Sequence, residues 1–132
     1  MVERTKIMLV DDNVPFRWGL MEALSGEETL EIVEEASDGN EAVDKARAVK
    51  PDVIIMDLQM PNCNGIEATG RIHREMSNIN ILMLTISDGD TDLLSALQAG
   101  ARGYLLKNEK PEMIIQAIHY VARGGIIVSP SM

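Results

Sequence analysis

The sequence contains few residues of several kinds, and each shortage excludes a type of structure or location. Its 132 residues include one cysteine, Cys63, so no disulfide can form within the chain. No apolar run approaches the roughly 18 residues of a membrane span. The N-terminal apolar run is short and ends in acidic residues, unlike a secretory signal. We therefore expect a cytoplasmic protein that does not contact a membrane.

Positive charge is also scarce in this chain. Lysine and arginine together number 12 against 21 aspartates and glutamates, which gives a formal net charge of −9. A protein with this balance repels nucleic acid and anionic lipid, so we expect no direct contact between this chain and DNA. An acidic cleft could instead hold a hard cation.

Apolar runs alternate with amphipathic stretches, and 45% of the residues are hydrophobic, which is enough for a globular core. Runs that are apolar throughout indicate strands buried on both faces, and strand–helix alternation indicates parallel strands with right-handed crossovers. We predict a doubly wound α/β fold, with a five-stranded parallel sheet and five helices. The predicted strands cover residues 6–10, 30–36, 52–57, 79–85 and 103–106, and the predicted helices cover 15–24, 41–49, 66–76, 91–99 and 111–122.

Polar residues end four of the five predicted strands, whose interiors are almost wholly apolar. In an open parallel sheet, ligands bind outside the carboxyl ends of the strands. Each residue alone has an ordinary interpretation as a helix cap, a turn, a strand residue or a solvated lysine. All of these interpretations would have to be true at once at the same edge of the sheet, so we favour a shared site. No glycine-rich phosphate loop follows the first strand, which argues against a flavodoxin or a dinucleotide-binding protein. The residues are Asp11, Asp12, Asp57, Thr85 and Lys107.

The charges in this set predict a metal site. Two carboxylates about 4 Å apart repel by about 4 kcal/mol at an effective dielectric constant of 20. Without compensation, one carboxyl group would keep its proton near neutral pH. A lysine offsets one charge, whereas a divalent cation offsets two and takes carboxylates as ligands. Mg²⁺ (or Mn²⁺) suits this set because it accepts a few carboxylate oxygens and leaves room for a phosphate oxygen.

Four motifs together resemble the receiver domains of two-component response regulators. They are "LVDDN" after the first strand, "DVIIMDLQMPNCNG" around the third, "LMLTIS" on the fourth and "GYLLK" on the fifth. The resemblance covers nearly the whole chain, and its final portion is most similar to the NarL/FixJ (LuxR-type) subfamily. It implies the CheY-like strand order 2-1-3-4-5 and a receiver domain over residues 1–124. Residues 125–132 would then start a linker to a helix-turn-helix domain that is absent from this sequence.

The resemblance also implies roles for the acidic residues. Asp57 matches the phosphoacceptor, whose carboxylate takes a phosphoryl group from a histidine kinase. Asp12 matches the direct Mg²⁺ ligand, and Asp11 matches the acid that holds the metal through water. Gln59, two residues after the phosphoacceptor, would bind the metal through its backbone carbonyl.

The remaining matches imply a switch. Lys107 matches the lysine that pairs with phosphoryl oxygens, Thr85 the hydroxyl that moves toward them, and Tyr104 the aromatic residue that swings inward with it. Two positions depart from the usual pattern. Ile86 stands where alanine or glycine is common and could narrow access to the site, and Asn108 stands where many receivers have proline.

We therefore predict a Mg²⁺-dependent phosphoacceptor switch of a transcription regulator, which is not an enzyme beyond its own phosphorylation and dephosphorylation. Its predicted partners are a sensor histidine kinase, a second copy of the chain, and DNA through the absent C-terminal domain only. Two other hypotheses stay open. One is a metal-dependent phosphohydrolase with Asp57 as its nucleophile, and the other is a receiver-like interaction module that is never phosphorylated.

Overall fold

Strands and helices alternate along the chain in a computed structural model, which describes residues 3–132. The five helices are α1 (Val14–Ser25), α2 (Gly39–Val49), α3 (Gly65–Glu75), α4 (Asp90–Ala99) and α5 (Pro111–Ala122). The six strands are β1 (Thr5–Val10), β2 (Leu30–Ala36), β3 (Val53–Met56), β4 (Asn80–Thr85), β5 (Gly103–Leu106) and β6 (Ile127–Val128). Within residues 3–132, no helix combines the length and the apolarity that crossing a bilayer requires.

The strands form one parallel sheet in the order β2-β1-β3-β4-β5-β6. The predicted order of the first five strands is therefore confirmed. The winding direction reverses between β1 and β3, because β2 lies on one side of β1 and all later strands lie on the other. This reversal opens a crevice at the carboxyl ends of β1 and β3, where ligands of such sheets bind.

Successive strand residues point to opposite faces of the sheet and build two separate cores. In β1, Met8 and Val10 pack on the face covered by α2, α3 and α4, whereas Ile7 and Leu9 pack on the face covered by α1 and α5. All four side chains are at most 1% exposed. Burial on both faces explains the unbroken apolar runs within β1, β3 and β4.

The prediction of five strands was wrong by one, because Ile127–Val128 pairs with β5 as a sixth parallel strand. A strand of two residues is too short to produce a periodic signal in the sequence. It lies within residues 125–132, the segment that the sequence suggests as the start of a linker. That linker assignment stays a prediction, although residues 127 and 128 of the segment lie in the sheet.

The start of α1 and the end of α4 follow the expected chemistry of helix caps. The Asn13 side chain caps α1 by accepting a hydrogen bond from the Phe16 N–H at 3.0 Å. Because Asn13 performs this role, Asp11 and Asp12 are not needed as caps. Gly100 ends α4 with a φ of 118°, in the left-handed region that glycine tolerates best.

Candidate functional site

Three carboxylates meet where β1 and β3 end. Asp11 and Asp12 follow β1 directly, and Asp57 follows β3 in the neighbouring position of the sheet. One carboxylate oxygen of each lies within 4.8 Å of those of the other two. Asp11 and Asp57 are 5% and 7% exposed, whereas Asp12 is exposed to solvent. The adjacent strands thus hold two acids inside the protein and a third at its surface.

Asp57 is fixed by the backbone around it. Its N–H donates to the Val10 carbonyl at 2.9 Å, and its Oδ1 accepts from the Leu58 N–H at 2.8 Å. Burial raises the pKa of Asp57, and the negative charge of Asp11 raises it further, against the lowering effect of Lys107. The Asp57 carboxylate is therefore held in place but short of positive charge.

Within residues 3–132, Lys107 supplies the positive charge that contacts the buried acids. Its Nζ lies 2.8 Å from Asp11 Oδ2 and 3.3 Å from Asp57 Oδ2. Burial by itself would lower the pKa of Lys107, but the hydrogen bond to Asp11 and the charges of Asp57 and Asp11 outweigh burial and raise it. The ammonium group is thus charged at neutral pH and spans the two buried carboxylates.

Thr85 and Tyr104 are connected through the loop after β4. Thr85 is 1% exposed, and its Oγ1 accepts from the Ser87 N–H at 3.3 Å. Tyr104 is fully buried, and its hydroxyl donates to the Ser87 carbonyl at 2.9 Å. Burial is the main reason that the pKa of Tyr104 is raised. The ring predicted to swing inward therefore lies inside, with Ser87 linking it to Thr85.

An open cleft of about 610 Å³ lies over these groups. Ile86, which is 77% exposed, and Asn108 line the cleft together with Asp57. The five predicted site residues along the cleft are Asp12, Asp57, Gln59, Thr85 and Lys107. Asp11 joins them through its ion pair with Lys107.

Three contacts around the site are absent from the sequence-based prediction. The Lys107 ammonium lies 4.3 Å from the centre of the Phe16 ring, in a cation–π arrangement. The Arg17 guanidinium donates to the Asp11 carbonyl at 2.5 Å. A side chain at Gly65 would collide with the Asp57 carbonyl. The glycine of "NCNG" is the one available signal, because Phe16 and Arg17 look like ordinary residues of an amphipathic helix.

The donor set fits a divalent cation with oxygen ligands. Three carboxylates face one lysine, so acidic side chains outnumber basic ones in the group. Two of the acids are buried, where uncompensated charge is costly. Mg²⁺ would supply two further positive charges and accept the clustered carboxylate oxygens. The geometry can therefore bind a hard cation beside the buried Asp57 carboxylate and the Lys107 ammonium group.

Comparison with known proteins gives a family for the chain. Residues 7–119 match the family described as the response regulator receiver domain. The chain is 36% identical over 129 residues to the transcriptional regulatory protein DegU of Brevibacillus brevis, covering 98% of this chain and 55% of DegU. It is 33% identical over 130 residues to the nitrate/nitrite response regulator NarL of Escherichia coli, covering 98% of this chain and 60% of NarL. It thus spans little more than half of these two relatives.

Solved structures agree with this match. A LuxR-family two-component response regulator from Aurantimonas superposes with a TM-score of 0.93 at 36% identity, covering 98% of this chain and 92% of that one. The signal receiver domain of the response regulator NarL from Mycobacterium tuberculosis superposes with a TM-score of 0.89 at 31% identity, covering 92% of this chain and 98% of that one. The similarity therefore extends over receiver domains as whole units.

Proposed function

Since this chain belongs to the family of response regulator receiver domains, of the NarL/LuxR type, we propose that it is a phosphoacceptor switch in which Asp57 takes a phosphoryl group from a histidine kinase. The observation that carries this proposal is the position of Asp57. It is a buried carboxylate with a raised pKa that faces an open cleft beside Lys107 and two further acids. An aspartate that served only in a solvated turn would not require a lysine and two further acids beside it.

The proposed transfer depends on charge and position. An Asp57 carboxylate oxygen attacks phosphorus, and the bond from phosphorus to the donor breaks. Lys107 is placed to neutralise the phosphoryl oxygens, because its Nζ already lies 3.3 Å from Asp57 Oδ2. Asp11, Asp12, Asp57 and the Gln59 carbonyl would hold Mg²⁺, which stabilises developing negative charge when it is bound.

The proposed output follows from the added charge. Phosphorylation adds up to about two negative charges at the end of β3. The Thr85 hydroxyl can then turn from Ser87 toward the phosphoryl oxygens, and Tyr104 senses this change because its hydroxyl is bonded to Ser87. We propose that residues 125–132 begin the connection to a DNA-binding domain, as the transcription regulators among the relatives suggest.

The test is the intact mass of the chain after incubation with acetyl phosphate and Mg²⁺. We expect a gain of one phosphoryl group that is lost with EDTA and in Asp57→Asn. Steady consumption of the donor far beyond one equivalent would instead support the phosphohydrolase. No gain and no turnover, even with histidine kinases as donors, would support an interaction module that is never phosphorylated.

The metal site has a separate test that needs no phosphoryl donor. We expect Mg²⁺ at about one hundred times its dissociation constant to stabilise the chain by about 2.7 kcal/mol, because it binds the folded state. The measurement is thermal unfolding with increasing Mg²⁺. Asp12→Asn removes one ligand and should abolish most of this shift, whereas Asp44→Asn, an exposed acid on α2, should leave it unchanged. Equal shifts in both variants would refute the site.

A further inference from the structure

The chain after α5 turns back and pairs with the edge of the sheet. Gly124 has a φ of 89°, which favours glycine, and a side chain at Gly125 would collide with the Tyr120 ring. These two glycines allow the chain to reverse closely against α5. Ile127 and Val128 then pair in parallel with β5. The reversal brings Ser129 alongside the end of β5, where Lys107 leaves the sheet.

Ser129 is 2% exposed, and its polar groups bind the end of β5. Its N–H donates to the Tyr104 carbonyl at 2.9 Å. Its Oγ accepts from the Leu106 N–H at 2.9 Å and donates to a Glu109 carboxylate oxygen at 2.5 Å. Continued pairing of β5 with β6 would offer Leu106 a backbone carbonyl, but the Ser129 carbonyl accepts from Met132 instead. The hydroxyl therefore takes the place of a strand partner.

The two residues bound by this hydroxyl are the ends of the turn that carries Lys107. Residues 106–109 form a turn closed by a hydrogen bond from the Glu109 N–H to the Leu106 carbonyl at 3.1 Å. Ser129 contacts both ends of the turn from the β6 side. On the opposite side, the Lys107 N–H donates to the Thr85 carbonyl at 2.9 Å. The backbone at Lys107 is thus held on both sides, by Ser129 on the β6 side and by the Thr85 carbonyl on the β4 side.

We propose that Ser129 is a positioning residue that holds the 106–109 turn so that the Lys107 ammonium reaches the phosphoryl group on Asp57. This inference rests on the proposed function. The Lys107 Nζ contacts Asp57 at 3.3 Å, and the geometry of such a charged group controls the rate of transfer. Without the hydroxyl, the Leu106 N–H loses its acceptor and the Glu109 carboxylate loses its donor, so the turn is free to shift.

The test compares Ser129→Ala with wild type and with Ser131→Ala, whose hydroxyl is on an exposed residue of the same segment. The readout is the initial rate of phosphoryl gain from acetyl phosphate at saturating Mg²⁺, followed by intact mass. We expect a loss of about tenfold in Ser129→Ala, which is less than the roughly 100-fold effect of a 1 Å displacement. Ser131→Ala should match wild type, and Ser129→Thr, which keeps a hydroxyl, should recover most of the rate.

Two further measurements separate positioning from a general loss of structure. The dissociation constant of Mg²⁺, measured by calorimetry without donor, should stay within twofold in Ser129→Ala, because the acidic ligands lie at the ends of β1 and β3. Amide hydrogen exchange should accelerate at Leu106 and Lys107 and stay unchanged in β1 and β3. A loss of Mg²⁺ affinity, or faster exchange throughout the sheet, would make Ser129 a structural residue only and overturn the inference.

The outcomes for the two proposals are distinct. Equal phosphorylation rates in wild type and Ser129→Ala overturn this inference and leave the phosphoacceptor switch standing. A wild-type chain that takes up no phosphoryl group overturns the switch, and with it any role of Ser129 in the transfer. Faster exchange at Leu106 in Ser129→Ala would then describe a purely structural bond.

Discussion

Carboxylates and cations meet in two regions of this molecule, with opposite results. On the surface, Arg47 donates two hydrogen bonds to Glu75 across α2 and α3, and the hydrogen bond from Arg47 is the main cause of the lowered pKa of Glu75. At the carboxyl edge of the sheet, burial and the charge of Asp11 raise the pKa of Asp57, although Lys107 lies in contact. The charged form of the carboxylate is thus favoured at Glu75 and disfavoured at Asp57.

The difference lies in burial and in the number of charges of each sign. Arg47 and Glu75 are 47% and 43% exposed, so water solvates both and the pair adds little to stability. The three carboxylates at the sheet edge share one lysine, and two of them are almost fully buried. A protein retains such a shortage of positive charge where function requires it, at a cost in stability. This contrast therefore separates the candidate site from the ordinary charged surface.

The largest expected effect on stability comes from the backbone next to Asp57, at the start of α3. Gly65 begins α3 with its N–H donating to the Leu58 carbonyl at 2.8 Å, and a β-carbon added at this residue would overlap the Asp57 carbonyl. We expect Gly65→Ala to lower the free energy of unfolding by more than about 2 kcal/mol, because the loop after β3 must move. Urea unfolding followed by circular dichroism measures this change.

Gly19 is the matched control for this substitution. It lies within α1, and a side chain there meets no neighbouring atom within 4 Å. Alanine at this position should stabilise the chain by about 0.5–1 kcal/mol, because alanine has the higher helix propensity. A similar loss of stability in both variants would show that Gly65 has no special contact with Asp57.

A smaller change in the free energy of unfolding, of opposite sign, is expected when the Asp57 carboxylate itself is replaced. Asp57→Asn removes a buried charge whose pKa is raised by burial and by Asp11, so the free energy of unfolding at pH 7 should rise by about 1 kcal/mol. The sign with pH follows from linkage. The folded pKa lies above the unfolded pKa, so the cost of the charge is present in full above the folded pKa and disappears as pH falls below both. The advantage of the variant should therefore shrink in acid.

Urea midpoints at several pH values measure this advantage, with Mg²⁺ absent so that no ligand compensates the charge. Glu22→Gln on the exposed face of α1 is the control, and it should leave the midpoint at pH 7 unchanged. A wild-type chain that is more stable than Asp57→Asn at pH 7 would mean that Lys107 overcompensates the carboxylate. The contrast between the two regions would then be lost.

Most of the fold could be predicted because its signals are long and repeated. Strands buried on both faces leave unbroken apolar runs, and α5 places Ile114, Ala117, Ile118 and Val121 on its buried side at helical spacing. The sixth strand could not be predicted in this way. Ile127–Val128 has two residues, and its pairing depends on the reversal at Gly124 and on the open edge of β5.

The acidic part of the candidate site could be predicted from the ends of strands, because parallel strands bring their carboxyl ends to one edge. The supporting contacts could not. Phe16 reaches Lys107 from the other end of the sequence, on a helix whose pattern shows packing only. Ser129 reaches Leu106 from a segment with no motif of its own. Such contacts depend on the exact path of the backbone, which no local pattern encodes.

The smallest expected effect on stability concerns the surface pair of Arg47 and Glu75. Its sign is opposite to that expected for Asp57. The hydrogen bond from Arg47 lowers the folded pKa of Glu75, so any stabilisation is present above the unfolded pKa and is lost as pH falls through the folded pKa. Glu75→Gln should therefore lower the urea midpoint slightly at pH 7, less than Asp57→Asn raises it, and this deficit should vanish in acid. It should also vanish in about 1 M salt, because both side chains are exposed and salt screens them. A deficit that persists at this salt concentration, or that exceeds the gain in Asp57→Asn, would show that the surface pair contributes more to stability than its exposure allows.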